Sequence, residues 1–218
     1  MQPHFWHERW QLNQIGFHQE WVNPLLTDCW RHVGGELSGE VFVPLCGKSL
    51  DMVWLRQQGH PVLGVELSPI AVRDFFEGQS LPAITRSYDR FIAYENADLR
   101  ILCGDFFDLE RDQLGKVRAV YDRAALIAMP PEMQIAYVTH LLQLLPARPP
   151  MLLITLEYDT EEMAGPPFPI SEERVAELFG SAFRIELLTA REVLDENTGL
   201  KNRGLTRLSE KAYRLRAK

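Results

Sequence analysis

The chain has 218 residues, 46% hydrophobic and 24% charged, which excludes a wholly disordered polypeptide and supplies a core that needs no covalent staples. Its 23 Lys and Arg against 30 Asp and Glu give a net charge of −7, which argues against a general binder of phosphate backbones but leaves a small ionic ligand open. Cys29, Cys46 and Cys103 are too few and too irregular for a disulfide framework or a zinc knuckle, and they fit a reducing compartment. The first residues lack the apolar core of a signal peptide, and no run approaches the roughly 18 apolar residues of a membrane span. The expectation is a soluble, cytoplasmic, monomeric protein whose single domain covers residues 1–218, with 1–38 as an aromatic arm or lid.

In the arm, Trp6, Trp10, Ile15, Phe17 and Trp21 supply large apolar surface, and Asn13 and Gly16 interrupt the pattern. Leu25, Leu26, Cys29, Trp30 and Val33 recur at helical spacing until Gly34-Gly35 stops them. From Glu40 the pattern alternates between strand and helix. Val41 to Leu45 reads as a strand buried on both faces, Ser49 to Gln58 as a helix, and Val62 to Glu66 as a second buried strand. Ser68 before Pro69 caps a helix running to Glu77.

Phe91 to Tyr94 and Leu99 to Cys103 flank a turn-like tetrapeptide, as in a hairpin. A strand follows over Val117 to Tyr121, ending in Asp122-Arg123, then a helix over Pro131 to Leu145 with Ile135, Val138, Leu141, Leu142 and Leu145 on its apolar side. Met151 to Leu156 is the most hydrophobic strand, and Ser171 to Phe179 is the last helix. Phe183 to Leu188 and Thr206 to Leu215 then read as an antiparallel pair. The alternation predicts an α/β fold: a mostly parallel sheet with helices on both faces and an antiparallel C-terminal edge.

The segment from Val41 to Glu66 carries the strongest chemical signal. In doubly wound sheets a tight turn after the first strand approaches the ligand, and an acid closing the second strand takes the ribose hydroxyls. Leu45-Cys46-Gly47-Lys48-Ser49 is such a turn, and Glu66 stands 21 residues beyond Leu45. The turn has one glycine rather than GxGxxG, so a pyrophosphate is disfavoured and a phosphate-free nucleoside, S-adenosylmethionine above all, suits it better. A plain turn followed by a solvated Glu is the alternative. Gly47-Lys48-Ser49 imitates a P-loop, but Phe42 stands where that motif needs glycine.

Gly104-Asp105 ends a further strand, where an acid and backbone N–H groups can read an adenine edge with Phe106 stacked beside them; an Asx turn is the equal alternative. Arg123 closes the next strand at the same rim and offers a permanent planar cation to a carboxylate or anionic substrate, with a surface ion pair as the competing reading. His4 and His7 have no third ligand at a metal spacing, so no metal is expected. Cys46 lacks a neighbouring base and reads as a small buried residue more readily than as a nucleophile. Gly165-Pro166-Pro167-Phe168-Pro169 is a stiff loop that either walls a pocket or carries the chain across the sheet end.

Taken together, Trp6-x-x-x-Trp10, Gly16-Phe17-His18, Val43 to Met52, Gly64-Val65-Glu66, Tyr121 to Leu126 and Gly165 to Phe168 resemble the thiopurine S-methyltransferase family in its bacterial form. The resemblance covers nearly the whole chain. It implies a class I methyltransferase (Rossmann-like) fold, S-adenosyl-L-methionine as methyl donor, and transfer to the sulfur of a thiopurine-like thiol, or to selenium or tellurium compounds in the cell. It places Trp10, Leu45, Glu66 and Arg123 at cofactor positions, with Trp6, Gly104 and Asp105 beside them. Phe17 falls on the substrate side with Arg123, and Lys201 and Arg203 lie in the C-terminal loop near it. The family's Asp-Arg-Gly-Ala turn here carries Ala124 in place of Gly. No residue is assigned proton transfer, because an aromatic thiol arrives largely as thiolate. Methylation of another small nucleophile, such as halide or thiocyanate, and a non-catalytic nucleoside-binding relative are the alternatives. Neither nucleic acid nor membrane is expected as a partner.

Overall fold

The computed structural model describes residues 3–34 and 38–218, so Gly35, at the predicted end of the second helical stretch, lies outside the described residues. The first helix, α1, is Pro3–Gln11. The second, α2, is Pro24–Cys29, started by the Asn23 side chain, which accepts the Leu25 N–H at 2.8 Å, and followed by a 3-10 turn over Trp30–His32. The α/β region then runs β1 (Glu40–Val43), α3 (Asp51–Gln57), β2 (Val62–Glu66) and α4 (Pro69–Gly78). Next come β3 (Ile84–Tyr88), β4 (Phe91–Asn96), β5 (Leu99–Cys103), β6 (Val117–Arg123), α5 (Pro131–Leu144) and β7 (Met151–Glu157). The chain ends with α6 (Glu172–Phe179), β8 (Phe183–Glu192), α7 (Thr198–Asn202) and β9 (Ser209–Ala217).

Among the described residues the strands form one nine-stranded sheet in the order β3-β4-β5-β2-β1-β6-β7-β9-β8. The five central strands are mutually parallel, and antiparallel pairs extend both edges. From β1 the chain moves outward through β2 to β5 and then returns to the other side of β1 with β6. That reversal opens a crevice at the carboxyl ends of β1 and β6, the usual ligand position in such sheets.

Burial follows the pleat. Phe42, Leu63, Val65 and Val120 face α5 and α6 in one core, while Val41, Val43, Tyr121 and Leu152 face α2, α3 and α4 in the other. Leu25, Leu26, Cys29, Trp30 and Val33 of the arm belong to this second core, so residues 23–34 are packed into the domain. No helix among the described residues is long and apolar enough to cross a membrane.

Three differences from the expected elements have physical causes. β3 was absent from the prediction because all five of its residues are exposed at a sheet edge, so no buried face marks the sequence. Ile135 lies on the solvent side of α5, 57% exposed, whereas Val138 and Leu141 face the core. The C-terminal strands are displaced from the predicted bounds: β8 continues to Glu192, and β9 starts at Ser209 after α7.

Candidate functional site

The turn after β1 is built from left-handed backbone, with φ +48° at Leu45 and +53° at Gly47. For Leu45, which has a Cβ, this costs about 1 kcal/mol, and hydrogen bonds beside it offset the strain. Cys46 N–H donates to the Val65 carbonyl at 2.9 Å, and Gly47 N–H donates to Glu66 Oε2 at 2.9 Å. Beneath the turn, a Cβ on Gly64 would stand 2.7 Å from Cys46 Sγ, so the glycine in β2 makes room for the thiol. Burial pushes that thiol well above its ordinary value, as expected of a packing residue and not of a nucleophile.

Glu66 is 6% exposed, and its other oxygen, Oε1, accepts the Ser68 N–H at 2.7 Å. Its backbone carbonyl accepts Gly104 N–H at 2.9 Å, so the ends of β1, β2 and β5 meet at this one residue. Burial lifts its carboxyl to about 7 despite the backbone donors to it. Each carboxylate oxygen retains a lone pair for a further donor.

Gly104 sits under the Phe91 ring, 2.5 Å from where a Cβ would be, and Asp105 accepts the Phe107 N–H at 2.9 Å in the Asx geometry. The expected stacking role of Phe106 is not realised. Its ring is 3% exposed and packs on Tyr137 at 5.0 Å and His140 at 5.1 Å, within the core under α5. Phe107 is the partly exposed neighbour.

The arm brings its aromatics together at this rim. Phe17 meets both Trp6 and Trp10 edge to face, each pair at 5.6 Å. Trp10 is 5% exposed and lies against Gly47, while Lys48 Nζ stands 5.7 Å from its ring and 3.0 Å from Asp74. His18 is held below its ordinary value by burial, then by the Lys48 and Arg123 charges, against the opposing charges of Glu20 and Asp51.

At the end of β6, Asp122 points inward: it accepts the Tyr137 hydroxyl at 2.7 Å and the Leu126 N–H at 3.2 Å, and burial raises it to about 6. Arg123 lines a recess together with Gln19, Trp21, Ala124, Arg191 and Glu210. Among the described residues its charge acts on His18, Tyr121 and Glu210 without a direct ion pair. Ala124 adopts φ +68°, the left-handed conformation that a glycine would take without strain.

A buried polar chain supports this wall. Asn23 N–H donates to Asp51 Oδ1 at 2.8 Å, the Tyr121 hydroxyl donates to Asp51 Oδ2 at 2.8 Å, and Asn23 Nδ2 donates to Glu210 Oε1 at 3.0 Å. Sequence reasoning singled out none of these contacts, nor Gln19 and Arg191. The one available signal was Gln19 itself, two residues past Phe17. Of the C-terminal loop residues, Lys201 pairs with Asp195 at 2.7 Å, and Arg203 donates to the Pro166 carbonyl at 2.8 Å, tying that loop to the proline-rich one.

The site therefore unites Trp10, Leu45, Glu66 and Gly104 through contacts around one turn, with Arg123 facing a separate recess nearby. A search for related proteins matches the family model for Thiopurine S-methyltransferase over residues 1–218. The thiopurine S-methyltransferase of Methylococcus capsulatus is 60% identical over 100% of this chain and 98% of its own length. That of Marinobacter nauticus is 47% identical over 94% of each. Solved structures share the fold at low identity. A Burkholderia thailandensis 1,6-didemethyltoxoflavin-N1-methyltransferase with bound S-adenosylhomocysteine has a TM-score of 0.62 at 16% identity, over 98% of this chain and 86% of that one. A SAM-dependent methyltransferase from Anabaena variabilis has 0.60 at 16%, over 99% and 95%. The fold is that of the class I methyltransferases.

Proposed function

Since this chain belongs to the thiopurine S-methyltransferase family and is an S-adenosylmethionine-dependent methyltransferase, we propose that it methylates the sulfur of a small thiopurine-like aromatic thiol. The observation that carries the reading is the junction at Glu66, whose buried carboxylate holds the turn after β1 and whose backbone carbonyl holds the end of β5, with the Arg123 guanidinium lining a recess nearby.

The residues present fit a phosphate-free adenosyl group. Glu66 offers lone pairs to two ribose hydroxyls, and such donors favour the ionised form that burial disfavours. Leu45, Gly104 and Asp105 border the adenosyl side. Arg123 holds either the methionyl carboxylate or an anionic acceptor. Trp6 and Trp10 face the sulfonium, each indole contributing roughly 0.5–2 kcal/mol of cation–π attraction. Lys48 already stands over Trp10, which makes Trp6 the freer of the two. Phe17 bears on the substrate side.

The bound cofactor supplies an electrophilic methyl group on a positively charged sulfur. The protein's work is to hold and align. Arg123 keeps its anionic partner in place, and the arm residues 3–22 close over both ligands and exclude water. In this reading residues 1–218 act as one catalytic domain, as a monomer in the cytoplasm, and selenium or tellurium compounds serve as further acceptors.

The direct test is incubation with S-adenosylmethionine and purine-6-thiol, with S-adenosylhomocysteine and the methyl thioether quantified by mass spectrometry. Equal amounts of both products support the proposal. Release of S-adenosylhomocysteine with halide or thiocyanate but not with the thiol would reassign the acceptor.

A further inference from the structure

The recess at the end of β6 contains hydrogen-bonding capacity that the fold itself leaves unused. Gln19 Oε1 is buried and has no hydrogen-bond partner among the described residues. Glu210, 8% exposed, lies between Leu156 of β7 and Arg191 of β8 in the sheet register, and both neighbours also line the recess. One of its oxygens takes the Asn23 amide; its cross-strand partner Arg191 turns instead toward Glu196 at 3.4 Å. Burial raises the Glu210 carboxyl, offset in part by Asn23 and by the charges of Arg123 and Arg191.

A buried acceptor without a donor is costly, so this wall matches a molecule that brings donors of its own. The same recess presents two guanidinium groups: Arg191 pairs with Glu196, while the Arg123 charge acts on Glu210 without a direct ion pair among the described residues. The complementary ligand therefore carries N–H groups on one edge and an anionic atom on another. An amino-substituted nitrogen heterocycle with an ionised exocyclic thiol has both features.

We infer that Gln19 and Glu210 select the methyl acceptor, accepting hydrogen bonds from the ring N–H and the amino group of an amino-substituted heteroaromatic thiol whose sulfur faces Arg123. This rests on the proposed thiol-methylating function and adds to it the residues that discriminate between thiols. A benzenethiol fills the same space but leaves both acceptors unpaired, and a site built around hydrogen bonds rejects such an analogue.

The test is the ratio of kcat/KM for 2-aminopurine-6-thiol to that for benzenethiol, in the wild type and in Gln19→Met and Glu210→Gln. Affinity for S-adenosylhomocysteine is measured alongside by calorimetry. The expected result is a wild-type ratio above one that falls about tenfold in each variant, chiefly through KM for the purine, with cofactor affinity retained. If Glu210→Gln fails to fold, Gln19→Met on its more accessible segment decides the matter. An unchanged ratio in a variant that still binds S-adenosylhomocysteine overturns the inference. Cofactor binding by the wild type with turnover of neither thiol overturns the thiol-acceptor function itself, and the inference with it.

Discussion

Gly47 donates its backbone N–H to the Glu66 carboxylate at 2.9 Å, so the turn leaving β1 is fastened to the end of β2 by the side chain that also faces the crevice. The geometry of the turn and the charge state of the acid are therefore linked. Anything that displaces the Glu66 side chain also loosens the backbone around Leu45.

That link sets a pH dependence for cofactor binding. The Glu66 carboxyl in the ligand-free protein sits at about 7, above the ordinary 4.5, so without ligand its contribution to stability declines as pH rises through this interval. Ribose donors favour the ionised form and lower the value. Affinity for S-adenosylhomocysteine should rise with pH up to about 7 and then level off. Calorimetry at pH 6 in buffers of different ionisation enthalpy should detect proton release on binding. In Glu66→Ala the affinity should drop by about 1.5–3 kcal/mol and lose this pH dependence.

Ala124 holds φ +68° where the family turn has glycine. Ala124→Gly should therefore stabilise the protein by about 0.5–1 kcal/mol, against the usual penalty for introducing glycine. Thermal denaturation should show a midpoint a few degrees higher. A lower midpoint would mean that the Ala124 methyl group packs well enough to outweigh the backbone strain.

Trp30 donates its indole N–H to His60 Nε2 at 3.0 Å within the second core. Burial lowers the pKa of His60 below the ordinary 6.5. A base whose folded value is depressed contributes stability above the unfolded value, and that stability is lost as pH falls below it. Trp30→Phe should cost about 1–3 kcal/mol at pH 8 and raise the His60 value, read from the imidazole resonances in an NMR titration.

Tyr121 and Asn23 are the two donors that hold the buried carboxylate of Asp51. Tyr121→Phe removes one of them and should destabilise the fold by about 1–3 kcal/mol. Because Asn23 starts α2, faster hydrogen exchange at the Asn23 and Leu25 amides should accompany the loss. Exchange changes confined to β6 would indicate that the network does not reach the arm.

Much of this architecture was readable in the chain because burial on both faces leaves continuous apolar runs. Val62 to Glu66 and Leu99 to Cys103 match β2 and β5 residue for residue for that reason. Ser68 and Pro69 likewise marked the start of α4 by cap chemistry. Edge strands are less legible: Ile84 to Tyr88 mixes apolar and polar residues on two exposed faces and so leaves no period to detect. Phe106 and Phe107 show a related limit, since adjacent aromatics give no sign of which one turns inward. The wall of the recess was beyond reach for another reason. Asn23, Asp51, Tyr121 and Glu210 meet across separations of 28, 70 and 187 residues, and hydrogen bonds of that range leave no local pattern.

The most direct measurement is a crystal structure of the protein grown with S-adenosylhomocysteine. The account predicts adenosine across the carboxyl ends of β1, β2 and β5, with both ribose hydroxyls within hydrogen-bond distance of Glu66. Density for the nucleoside elsewhere, or a Glu66 carboxylate bonded only to Gly47 and Ser68 in the complex, would contradict it.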